Sequence, residues 1–99
     1  MKKYSIMIAN LDVESLPGSH WVGIYAKDNK IEVFDSLGMS PPLLQAWAAR
    51  NSTSWIYKNL VVQHPLSVTC GYYALIFTIA RPYCNNYDTT VAYISTLQI

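Results

Sequence analysis

Ninety-nine residues carry a net charge of +1 and are 52% hydrophobic and only 13% charged, which excludes a disordered chain. The length favours one domain, residues 1–99, with a real but modest core. The seven basic residues are scattered rather than striped, so charge gives no support for a nucleic-acid partner.

The opening "MKKYSIMIANLDVE" sets two lysines before a short apolar stretch. Asn10, Asp12 and Glu14 end that stretch too early for a secretory signal. There is no run of about 18 apolar residues to cross a membrane. "YSIMIA", residues 4–9, reads as a buried strand. "NLDVESLPGS" carries Pro17-Gly18 and reads as a loop. "HWVGIYA", residues 20–26, and "IEVFD", residues 31–35, read as two strands joined by the tight turn "KDNK". After the loop "SLGMSPP", Pro42 suits the first position of a helix reaching about Arg50. "WIYKNLVVQ" is ambiguous, and its Val-Val end looks like a short strand.

Thr69 or Ser67 then offers a cap for a helix from about Cys70 to Ala80, closed by Pro82. That helix is apolar nearly all round, which predicts burial in the middle of the fold. "NNYDTTVAYISTLQI" reads as a last helix with Asp88 as its cap. The class is α+β. Cys70 and Cys84 make no disulfide framework, and the two histidines and two cysteines match no zinc spacing. A reduced, intracellular compartment is the expectation.

With the turn centred on Asp28-Asn29, residues whose numbers sum to 57 face each other. Side chains alternate along a strand, so His20 and Asp35 share one face, a diagonal step apart. Diagonal neighbours lie roughly 7–8 Å apart, within reach of an imidazole and a carboxylate. A carboxylate that accepts one ring N–H fixes the tautomer of a histidine and leaves the other nitrogen to take a thiol proton. Cys70 opens a helix, where free N–H groups favour a negative charge. A neighbouring imidazolium or a helix N-terminus lowers a cysteine pKa from about 8.5 to roughly 3.5–7.5. Backbone amides and a nearby Gln63 would suit the oxyanion of a tetrahedral intermediate. Taken singly, each residue has a plainer reading: a buried thiol at Cys70, a strand histidine at His20, a turn residue at Asp35, a solvated loop at Gln63. Their order along the chain favours a site. His64 falls on the opposite face from Gln63 and reads as structural or exposed. Cys84 reads as a free thiol, and Trp47 and Trp55 as packing residues.

"GSHWVGIYA", "EVFDSLG" and "VQHPLSVTCGYYALIF" resemble the cysteine proteases of the adenovirus protease (adenain) type, which are related to SUMO deconjugases. The likeness spans about Ile6 to Ile79 and is nearest to proteases of adenovirus-like viruses and Polinton elements. It implies His20 as general base, Asp35 as its orienting acid, Cys70 as nucleophile and Gln63 as oxyanion donor. It implies Trp21 as the aromatic flanking the substrate channel, and a mixed sheet with the nucleophile's helix packed centrally. Relatives usually carry a helix before the first strand and often continue past the last, so the resemblance leaves three expectations open: a minimal core, a truncated form, or a chain that completes itself with a partner chain. The implied activity is a thiol endopeptidase on precursor polypeptides cut near glycine. An isopeptidase for ubiquitin-like modifiers and an inactive protease-fold binding module are the rivals. No cofactor is expected from the residues. The resemblance alone raises an activating peptide or DNA, and near-zero charge lends DNA no support.

Overall fold

The computed structural model describes residues 3–10, 21–36, 42–57 and 70–97. Its sheet is organised by the turn at Asp28 and Asn29, whose φ angles of 54° and 62° are both positive. Two such residues make the hairpin turn whose twist matches the strands it joins, and Asp and Asn tolerate that conformation. The turn joins β2 (Trp21–Lys27) to β3 (Lys30–Phe34), antiparallel from Lys27↔Lys30 to Gly23↔Phe34. Every pair sums to 57, the register expected from the sequence. β1 (Ser5–Asn10) pairs antiparallel with β2, and β4 (Ser54–Tyr57) runs parallel to β3. A parallel return needs a crossover, and α1 (Pro42–Asn51) lies within it. The result is a mixed four-stranded sheet in the order β1-β2-β3-β4.

Alternation along β2 and β3 divides the apolar residues between two faces. Val22, Ile24, Ile31 and Val33 pack with Leu44 and Ala48 of α1. Tyr25 and Phe34 face the other way, onto α2 (Cys70–Ala80) and α3 (Tyr87–Ser95). There the Phe34 and Phe77 rings stack at 5.1 Å, and Tyr87 meets Phe77 edge-on at 5.8 Å. Fully burying one such side chain stabilises by about 1.5–3 kcal/mol. Gly23 lets α2 approach the sheet: a methyl group there would lie 2.8 Å from the Ala74 carbonyl oxygen and 3.0 Å from the Phe77 ring.

Several expectations are corrected. β1 is not a buried strand but an edge strand whose residues are largely exposed. α2 has the predicted limits, yet among its described side chains only Tyr73, Ala74, Phe77 and Thr78 are buried, while Tyr72, Leu75 and Ile79 are exposed. The helix lies flat on β2 with α3 at one flank, so one apolar stripe is left outside. Beyond Ala80 a 3-10 turn, Arg81–Tyr83, carries Pro82. α3 is capped by Asn86, whose side chain accepts from the Thr89 N–H at 2.8 Å, and Asp88 falls in the first turn instead. β4 uses the Ser54–Tyr57 end of its segment; Val61-Val62, like Ser67 and Thr69, lies outside the described residues. Among the described residues no helix is long and apolar enough to cross a membrane.

Candidate active site

β2 begins where β3 ends, because the two are antiparallel, and β4 ends there too because it runs parallel to β3. The first turn of α2 comes to the same end of the sheet. An ideal Cβ on Gly71 would lie 3.5 Å from Cδ1 and 4.0 Å from Nε1 of Trp21. The half-buried indole therefore rests against the residue that follows Cys70. Trp21 in turn follows His20 in the chain, so the peptide after His20 and the peptide after Cys70 are neighbours.

Asp35, directly beyond β3, is 1% exposed. Its Oδ2 accepts a 2.7 Å hydrogen bond from the Tyr57 hydroxyl. That contact follows from the parallel register: Val33 pairs with Tyr57, and Asp35 lies one strand repeat beyond Val33 on the same face. Burial, reinforced by the hydrogen bond to Asp35 and its charge, pushes the Tyr57 hydroxyl well above the ordinary tyrosine range. Tyr57 therefore stays a donor at any ordinary pH. A donor fixed on one carboxylate oxygen helps to hold the carboxylate plane. Ser36, the next residue, is also buried.

Of the residues singled out from the sequence, Trp21, Asp35 and the backbone of Cys70 are brought to one end of the sheet. His20 and Gln63 lie outside the described residues, as does the side chain of Cys70. Tyr57 is the participant that sequence reasoning missed. Its segment read as an ambiguous strand, and period-two arithmetic within a hairpin says nothing about the register of a parallel neighbour.

A largely buried ion pair lies on the opposite face of β3. Arg81 holds Glu32 through both forks of the guanidinium: Nε donates to Oε1 at 2.5 Å and the Nη2 group donates to Oε2 at 2.9 Å. The same guanidinium carbon stands 4.4 Å from the Tyr25 ring centroid. Its position and saturation mark this pair as structural. Among the described residues no group of three or more histidine, cysteine or acidic side chains is placed to hold a metal ion.

No family model, curated protein or solved structure matches the chain.

Proposed function

We propose that the chain is a thiol hydrolase that cleaves peptide bonds, with His20 as base, Asp35 as its orienting acid and Cys70 as nucleophile. One observation carries the reading: Trp21 rests on Gly71 at the end of the sheet where Asp35 is buried. The neighbours of His20 and Cys70 in the chain are thus adjacent in space. The motif resemblance to adenain-type proteases supports the same assignment. In this reading His20 takes the proton from the Cys70 thiol, and the thiolate attacks the scissile carbonyl carbon. Gln63 and the N–H groups of the first turn of α2 stabilise the oxyanion. The intermediate collapses with loss of the amine, which His20 protonates, and water then releases the acid from the thioester. Trp21 forms one wall of the channel for a polypeptide substrate.

The test is Cys70→Ala and His20→Ala beside wild type, with folding followed by circular dichroism. Each variant is expected to remain folded and to lose turnover of a glycine-containing peptide. Full activity in either removes the assignment. A Gly-Gly-ended fluorogenic modifier in parallel separates endopeptidase from isopeptidase action. A cysteine-directed electrophilic peptide that leaves Cys70 unlabelled in folded wild type would favour the inactive binding module.

A further inference from the structure

The outer stripe of α2 and the edge strand β1 form one continuous apolar surface. Ile6, Met7 and Ile8 from the strand and Leu75 and Ile79 from the helix line a shared groove of about 310 Å³. Tyr72 extends the helix side at 63% exposure, with Ile79 at 57% and Ile6 and Met7 at 48% each. On side chains of these sizes such fractions sum to roughly 600 Å² of exposed surface, the upper limit for a typical monomer's largest patch. β1 has no strand on its outer side among the described residues, and Ser5–Asn10 contains none of the charges or prolines that usually guard an open edge.

We infer that this face is the interface of a two-fold homodimer in which β1 pairs antiparallel with β1 of a second copy. A two-fold axis normal to the sheet maps each face onto itself, so facing residues must share parity along the strand. With Met7 on the axis, Ile6 of each copy faces Ile8 of the other and Ser5 faces Ala9. The two sheets become one of eight strands, and the open edge is consumed. β2 and its copy then stand three strand spacings apart, about 14 Å. The α2 helices resting on them flank a trough floored by four isoleucines. Packed helices prefer 8–10 Å between axes, so the trough is a few ångströms wider than direct contact, and Tyr72, Leu75 and Ile79 reach into it from both sides. Complete burial of the exposed surface of the six named side chains in both copies would remove about 1,200 Å², a ceiling that meets the lower bound of a specific stable interface before the new backbone hydrogen bonds are counted. An outer strand without guarding charges or prolines, whose residues can face their own copies with matching parity, favours a second copy as the occupant. The inference does not rest on the catalytic reading.

Sedimentation equilibrium of wild type from about 1 to 100 μM is expected to show a monomer–dimer equilibrium, the range in which modest interfaces dissociate. Ile6→Lys and Ile79→Glu are expected to weaken dimerisation by about 30-fold or more each while leaving the circular dichroism unchanged. Register is tested separately with Cys70→Ala and Cys84→Ser as background. There Met7→Cys should cross-link under mild oxidation, since facing Cα atoms of about 4.5–5.5 Å suit a disulfide, and Ser5→Cys should not. A wild type that stays monomeric throughout overturns the inference and leaves the face to a different partner. A dimer indifferent to both surface substitutions overturns it equally. A Ser5→Cys cross-link in place of Met7→Cys rejects the register.

Discussion

Glu32 and Asp35 are near neighbours in the chain and both are largely buried, yet they are held by different kinds of group. Glu32 meets a guanidinium that grips both of its oxygens and stacks on Tyr25. That contact neutralises the charge and pins the 3-10 turn after α2 to the sheet. Tyr57 gives Asp35 a hydrogen bond but no positive charge. A hydroxyl satisfies a lone pair and fixes the carboxylate's orientation without cancelling its field. β3 thus carries an acid neutralised by a guanidinium, and directly beyond it an acid oriented by a hydroxyl stands at the end where Trp21 meets α2. The contrast separates a structural carboxylate from a candidate functional one by the chemistry of the donor rather than by burial.

The comparison is broken most severely at Arg81. Arg81→Ala leaves Glu32 buried without its cation and should destabilise by about 3–5 kcal/mol in urea unfolding. Labelling of Cys70 in the molecules still folded should be unaffected. Exchanging the acids for amides sharpens the contrast. Asp35→Asn is expected to slow turnover by roughly 100-fold or more, because an amide cannot hold the imidazolium that forms during general-base catalysis. Glu32→Gln should cost stability alone. If the two amides slow turnover equally, the distinction between them is lost. A smaller effect is expected from Tyr57→Phe, about 1.5–3 kcal/mol for a hydrogen bond to a charged group. Its pH dependence follows from the direction of the Tyr57 shift. The folded hydroxyl keeps its proton above the pH at which an unfolded tyrosine loses it, so its stabilisation is complete below about pH 10 and falls as pH rises further. The stability gap between wild type and Tyr57→Phe should therefore be flat near neutrality and narrow in alkaline solution. A gap that widens there contradicts the burial of that hydroxyl.

Local features were legible in the sequence, and long-range ones were not. The Asp28-Asn29 hairpin and its register follow from turn chemistry and alternation over a few residues, and both appear in the structure as expected. The limits of α2 follow from an apolar run ended by Pro82. Burial is a different matter. An apolar run such as Ile6-Met7-Ile8 reads as core wherever it occurs, but its cover depends on which elements the topology leaves beside it. The same is true of the outer stripe of α2. Asn86 and Asp88 are both residue types that cap helices, and the structure uses Asn86, two residues earlier. At the candidate site, "DSLG" reads as turn chemistry, whereas Asp35 is buried and accepts a hydrogen bond from a strand that arrives through a crossover. No local pattern could announce Tyr57 as its partner.

Gly23 makes the spacing between α2 and β2 a matter of a single hydrogen atom in place of a methyl group. Ala74 lies one helical turn, about 6 Å, along the axis from Cys70. A wedge at Gly23 would make Ala74 a fulcrum and swing the start of the helix off the Trp21 indole. Gly23→Ala would thus misalign the candidate site without removing any of its reacting groups from the chain, and its loss of turnover would outrun its loss of stability.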